Sequence, residues 1–128
     1  MGLENVILTG LLPYGQMAAL LKQSDVGLNT IAKDSWNSFP NKAFEYMAAG
    51  LPIINSTRRE FQEVVEKESI GLQYCAGDEQ SLKEAVCFLY GNRAEAEQMG
   101  RKARNLVEER FDRKISYPGA HSFILGLR

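Results

Sequence analysis

Short apolar runs alternate with amphipathic segments along most of the chain. A continuous apolar run that ends at Gly10 predicts a strand buried on both faces at residues 6–9, and further strands are predicted at 25–29, 52–55 and 70–74. Apolar residues at helical spacing predict helices at residues 14–23, 40–49, 60–67, 79–90 and 93–111. Strands that alternate with helices through short connections indicate an α/β fold, with a Rossmann-like parallel sheet covered by helices on both faces.

Segment 39–54 is the most informative part of the pattern. Pro40 suits the first turn of a helix, where its missing N–H group is not needed. Gly50 suits the left-handed position just past the helix end, and Pro52 prevents the helix from continuing. The segment therefore predicts a loop, a short helix, a tight turn and a buried strand.

The predicted helix has two chemically different faces. Asn41, Lys42 and Glu45 fall together on a helical wheel, whereas Phe44 and Met47 fall with Pro40 on the opposite face, which we expect to be core. The polar face lies near the start of a helix that follows a strand, which is where open parallel sheets bind ligands.

This polar face is suited to a nucleotide. The free N–H groups of a helix N-terminus accept phosphate oxygens, and Lys42 would add a point charge to a diphosphate. Glu45, one turn deeper, could accept two hydrogen bonds from the vicinal hydroxyls of a ribose. The alternative is that Lys42 and Glu45 simply form an exposed ion pair between positions i and i+3.

Other parts of the sequence predict helix caps and a solvent-facing helix surface. Asp78 is a good N-cap for the helix at 79–90, and Ser56 and Thr57 are cap-forming residues before the helix at 60–67. The charged residues of the segment 93–111 are expected to form a solvated face.

Composition excludes several classes of function. The chain has 128 residues, as expected for a single domain, and its net charge of −1 gives no field to attract nucleic acid. No apolar run is long enough to span a membrane. Cys75 and Cys87 are expected to be reduced, buried side chains of a cytoplasmic protein, and no residue cluster has the spacing of a metal site.

The ordered motifs resemble the C-terminal, donor-binding domain of a retaining glycosyltransferase of the two-domain GT-B type. The family is glycosyltransferase group 1, or family 4, which includes glycogen synthase. The matching segments are 6–11, 20–28, 40–54 and 71–86, so the resemblance covers nearly the whole chain, and segment 40–54 is the strongest match.

The resemblance implies roles for the residues at matching positions. Glu45 matches the second glutamate of the family's Glu-x7-Glu pattern, which holds the ribose. The first glutamate would fall at Asn37, which leaves the sugar-facing role there open. Ser38 and Phe39 match the loop that approaches the sugar and the diphosphate.

The resemblance also implies a longer protein. Gly10 and Leu11 match the turn that holds the base, but the family's basic pair for the diphosphate and its acceptor-binding N-terminal domain have no counterpart in this chain. We therefore expect residues 1–128 to be one sugar-nucleotide-binding domain of a larger enzyme. The chain alone should bind nucleotide weakly and should not transfer sugar.

The implied substrate is a UDP- or GDP-sugar, with no tightly bound cofactor and no catalytic residue assigned within the chain. The full enzyme would act in polysaccharide or glycoconjugate biosynthesis in the cytoplasm, where it could be peripheral to the inner face of the membrane. Two alternatives are a non-catalytic α/β interaction domain and half of a sugar-nucleotide epimerase of GT-B architecture.

Overall fold

The structure, a computed structural model, describes residues 3–33 and 41–111, and within these ranges the predicted α/β alternation is confirmed. The strands are β1 (Gly27–Asn29), β2 (Ile53–Asn55) and β3 (Gly71–Gln73). The helices are α1 (Tyr14–Gln23), α2 (Asn41–Ala48), α3 (Glu60–Lys67), α4 (Glu79–Gly91) and α5 (Arg93–Leu106), and a π-helical turn (Val107–Phe111) continues α5.

The three strands form a parallel sheet in the order β1-β2-β3, with helices on both faces. Right-handed crossovers that step in one direction place α2 and α3 on the same face of the sheet. In agreement, Ile53 of β2 packs in one buried cluster with residues of α2, α3 and α5. The next residue, Ile54, packs in a second cluster with Ala85 and Leu89 of α4. Strand β2 is therefore buried on both sides, as its apolar sequence predicts.

The predicted strand at 6–9 is wrong. Residues 6–9 form no strand in the structure, and the side chains of Ile7 and Leu8 are 84% and 92% exposed. A continuous apolar run becomes a buried strand only when a neighbouring strand pairs with it and helices cover it. No described residues do this for segment 6–9, since β1 pairs only with β2 and α1 has no buried residue.

The turn from α2 to β2 has the predicted geometry, but the buried face of α2 differs from the prediction. Gly50 adopts a left-handed conformation with φ of 74°. The fully buried residues of α2 are Ala43 and Met47, whereas Phe44, predicted to be core, is only half-buried. Because α2 packs against α5 as well as the sheet, the pair Ala43 and Met47, at i and i+4, faces the core.

The helix starts give one confirmed cap and one wrong prediction. The Asp78 carboxylate accepts hydrogen bonds from the N–H groups of Gln80 (3.0 Å) and Ser81 (3.1 Å), which confirms it as the N-cap of α4. In contrast, α3 begins after Arg59 without any side-chain cap, because Ser56 and Thr57 are fully buried in a different set of contacts.

Cys75 and Cys87 are free thiols, but both are exposed, so their predicted burial is wrong.

No helix in residues 3–33 and 41–111 has both the length and the hydropathy needed to cross a bilayer.

Helix α5 connects the two buried clusters. Ala96, near its start, packs on the α4 side of the sheet, whereas Ala103 and Leu106 pack on the side of α2 and α3. Gly100, between them, lies against Gly50, just before β2 begins. Helix α5 therefore crosses the amino-terminal edge of the sheet, opposite the edge from which the loops before α2, α3 and α4 emerge.

The crossing predicts a stability effect at Gly100. A Cβ atom there would lie 2.1 Å from the carbonyl oxygen of Gly50, so Gly100→Ala must separate two backbone segments. We expect a loss of about 1–3 kcal/mol in the free energy of unfolding, measured by chemical denaturation. Gly91→Ala in α4 is the matched control, because an added Cβ there meets nothing within 4 Å. Equal stability of the two variants would contradict the close contact.

Candidate functional site

Three side-chain amides form a row across the carboxyl ends of the strands. Asn29, Asn55 and Gln73 occupy the last paired position of β1, β2 and β3. The Asn29 amide donates to the Asn55 side-chain oxygen at 2.6 Å, and the Asn55 amide donates to Gln73 Oε1 at 2.8 Å. This amide row links all three strands at the edge where parallel sheets bind ligands.

The loop after β2 is built onto the amide row. Thr57 accepts from Asn29 at its hydroxyl, and its carbonyl accepts from both Asn55 and Gln73, at 2.8 and 3.0 Å. Ser56 accepts a hydrogen bond from the Ile31 N–H at 2.9 Å, which ties together the loops that follow β1 and β2. The amide row therefore uses these hydrogen bonds within the protein and forms a frame at the carboxyl edge of the sheet.

The amide row was not recognised as a unit from the sequence. The signal was present, because an amide residue lies at or next to the end of three of the four predicted strands, those at 25–29, 52–55 and 70–74. However, only the pairing register places Asn29, Asn55 and Gln73 opposite one another.

Helix α2 is attached to β1 through Tyr46. The Tyr46 ring lies against Gly27, where a Cβ atom would come within 2.4 Å of it, and its hydroxyl donates to the Leu28 carbonyl at 3.4 Å. Burial, and then the negative charge of Glu45, raise the pKa of the Tyr46 phenol above its ordinary value of 10.0. Tyr46 thus fixes the helix position and is close enough to Glu45 to respond to its charge.

Asn41, Lys42 and Glu45 lie on helix α2, as predicted, and Lys42 is exposed whereas Glu45 is half-buried. Among the ion pairs of the described residues, none joins Lys42 to Glu45. The structure thus gives no support for the alternative in which these charges only neutralise each other.

The N-terminal turn of α2 is electropositive. It contains no acidic residue, and Lys42 adds a positive charge where the helix dipole is already positive. This combination opposes helix stability and favours an anion near the helix start.

The remaining predicted site residues are placed differently. Asn37, Ser38 and Phe39 lie outside the described residues. Leu11 is fully exposed, and a Cβ added to Gly10 would meet nothing within 4 Å. The structure brings Asn41, Lys42 and Glu45 together on one helix but leaves Gly10 and Leu11 apart from them.

No three histidine, cysteine or acidic residues gather into a potential metal site within the part of the chain that the structure describes.

The family is established by sequence comparison. The family model of group 1 glycosyl transferases matches residues 1–92, and the chain therefore belongs to the group 1 glycosyltransferases. This range contains β1, α2, β2 and the whole amide row, so the candidate site lies inside a glycosyltransferase domain.

The comparisons also indicate how much of a related enzyme the chain represents. The chain is 29% identical, over 115 residues, to the amylovoran biosynthesis glycosyltransferase AmsK of Erwinia amylovora. The alignment covers 88% of this chain but 28% of AmsK, so the chain spans less than a third of that relative. No solved structure matches the chain.

The environment of Tyr46 predicts a pH-dependent stability. Because its folded-state pKa is raised, the contribution of the protonated phenol is fully present below pH 10.0 and is lost as pH rises through the folded-state value. The difference in unfolding free energy between wild type and Tyr46→Phe should therefore shrink as the pH rises from 10.0 through the folded-state pKa of Tyr46. Chemical denaturation from about pH 8 to about pH 11 measures it.

Tyr90→Phe is the control for this comparison, because it removes a phenol from a ring that is 79% exposed. A difference between wild type and Tyr46→Phe that stays constant over the whole pH range would refute the assignment.

Proposed function

We propose that this domain binds the nucleotide-diphospho-sugar donor of a retaining, GT-B-type glycosyltransferase. The donor is a UDP- or GDP-sugar, and the acceptor is held by another domain of the full enzyme. The proposal depends on one observation above all, the placement of Lys42 and Glu45 one turn apart in α2, with no ion pair between them among the described residues. A cation at a helix N-terminus and a carboxylate beside it match the diphosphate and the ribose of one ligand.

The diphosphate would be bound at the first turn of α2. In the reaction the bond between the anomeric carbon and the diphosphate oxygen breaks, and negative charge develops on the departing diphosphate. Lys42 and the free N–H groups of the first turn would stabilise that charge, because both are positively polarised before the reaction begins.

The ribose would be bound by Glu45. Its carboxylate lies on the side of α2 opposite Ala43 and Met47, so it faces away from the core. A half-buried carboxylate is partly shielded from water, which strengthens the hydrogen bonds it accepts from two neighbouring hydroxyl groups.

The cellular setting of the proposal is a cytoplasmic biosynthetic enzyme. The name of AmsK assigns that protein to amylovoran biosynthesis, which supports a role in polysaccharide or glycoconjugate synthesis here. The two free cysteines are in keeping with a reducing compartment.

The first experiment is an amide-resolved NMR titration of the 128-residue chain with UDP, GDP and ADP in parallel. We expect one nucleotide to shift the backbone signals of Asn41, Lys42 and Glu45, since the ligand would bind at the free N–H groups of the first turn and at the Glu45 carboxylate. Signals of α4, on the other face of the sheet, are the internal control. If none of the three nucleotides shifts α2 signals, in the chain or in the full-length enzyme, the proposal fails.

Lys42 and Glu45 should be distinguishable by the ligand used. Lys42→Ala should weaken binding of the nucleoside diphosphate but leave the nucleoside unaffected, because Lys42 contacts only phosphate. Glu45→Ala should weaken both by about 1.5–3 kcal/mol, the range for hydrogen bonds to a charged group. Isothermal titration calorimetry measures both affinities.

Glu66→Ala, which removes an exposed carboxylate from helix α3, is the matched control. If Glu45→Ala behaves like Glu66→Ala in binding but strongly destabilises the fold, Glu45 has a structural role instead.

A further inference from the structure

We infer that Arg104 of helix α5 is a positioning residue for the donor site, because it caps the C-terminal end of α2 and so fixes the orientation of Glu45. The inference rests on the proposed function of α2. It concerns a residue that does not touch the ligand and acts only through the helix that would.

The carbonyl groups at the end of α2 identify the role of Arg104. The last four carbonyls of a helix have no partner within it. In α2 the turn supplies three donors, since the carbonyls of Glu45, Tyr46 and Met47 accept from the N–H groups of residues 49–51, at 3.0 Å each. The fourth, that of Ala48, accepts a hydrogen bond from the Arg104 guanidinium.

The Arg104 guanidinium is itself held in place. Its Nε donates to Glu108 Oε1 at 2.7 Å, one turn further along the same helix. Both side chains are about half exposed, so this ion pair contributes little to overall stability. Its effect is geometric, because a guanidinium fixed by one carboxylate presents its other N–H groups in a defined direction. Arg104 lies on the predicted solvated face of this segment, and its guanidinium also donates to the backbone of α2.

Other residues of α5 fix the same end of α2. Gly100 lies against the backbone of Gly50 in the turn, and Ala103 and Leu106 pack with Ala43 and Met47. Contacts with α5 therefore set the orientation of α2 at its C-terminal turn and along its buried face.

The length of α2 makes this arrangement sensitive. At 1.5 Å per residue, Glu45 lies about 4.5 Å and Lys42 about 9 Å from Ala48, so a tilt of about 10° at Ala48 moves them by about 0.8 Å and about 1.6 Å. Binding groups need to be held to within about 0.5 Å for full effect. The cap at Ala48 can therefore influence a site that Arg104 does not reach.

The family match does not bear on this role. It covers residues 1–92, and α5 begins at Arg93, so the helix that positions α2 lies beyond the matched range.

The test compares two arginines of the same helix. Arg104→Ala removes the cap, whereas Arg101→Ala removes a similar i,i+4 ion pair, with Glu97 at 4.0 Å. We expect Arg104→Ala to raise the Kd for the bound nucleotide (UDP, GDP or ADP) about 3- to 10-fold, and Arg101→Ala to change it less than about 2-fold. Arg104→Lys should restore part of the affinity, because an ammonium group can still donate to the carbonyl.

A double-mutant cycle shows whether Arg104 acts through Glu45. In the Glu45→Gln background, Arg104→Ala should raise the Kd by less than about 2-fold, because the group it positions has already lost its charge. An undiminished effect in that background would overturn the role assigned to Arg104.

The remaining outcomes separate this inference from the proposed function. If Glu45→Gln weakens nucleotide binding but Arg104→Ala behaves like Arg101→Ala, the inference is wrong and the proposed function stands. If Glu45→Gln leaves binding unchanged, the proposed function fails and the inference fails with it. A loss of unfolding free energy for Arg104→Ala well beyond that for Arg101→Ala, without partial rescue by lysine, would indicate only a structural role.

Discussion

The close backbone contact between Gly100 and Gly50 determines how α5 lies against α2 and the turn before β2. Because neither residue has a side chain, α5 can lie directly on the turn that joins α2 to β2. This approach brings Ala103 and Leu106 into the cluster that buries Ala43 and Met47. On that side α2 is held by α5, including the Arg104 contact to Ala48, and on the other by Tyr46, and together these contacts determine its tilt.

At the carboxyl edge of the sheet, the side-chain amides are hydrogen-bonded to one another and to the loop at Thr57. The amide row of Asn29, Asn55 and Gln73 is buried or partly buried, and its hydrogen bonds hold the strand ends and the loop at Thr57. No ion pair among the described residues joins Lys42 to Glu45. A frame that is already satisfied keeps the strand ends in one arrangement, as the proposed donor binding would require in order to proceed without rearrangement.

The sequence predicted those features that local chemistry determines. Helix bounds followed from the spacing of apolar residues, and the Asp78 cap and the Gly50 turn followed from residue type at a single position. The strand at 6–9 was wrong because an apolar run indicates a tendency to be buried, whereas burial needs partners that no local pattern reveals. For the same reason the prediction of which face of α2 is buried was partly wrong, because Ala43 is buried by its contact with α5.

In the candidate site, too, some features were predictable from local sequence and others depend on contacts between distant residues. The presence of Asn41, Lys42 and Glu45 on one helix follows from their spacing, and their roles toward a donor remain predictions. The row formed by Asn29, Asn55 and Gln73 depends on strand register, and the contact from Arg104 to Ala48 joins residues 56 positions apart. No local pattern contains either.

That separation along the chain has a consequence for the order of folding. Helix α2 and strand β2 are synthesised well before α5, and contacts between distant residues form late because closing a long loop costs entropy. During synthesis, α2 can pair with the nascent sheet, but its final tilt must wait until Gly100 and Arg104 have emerged from the ribosome. The helix that carries Lys42 and Glu45 is thus synthesised before α5, but it is among the last parts of this domain to reach its final geometry.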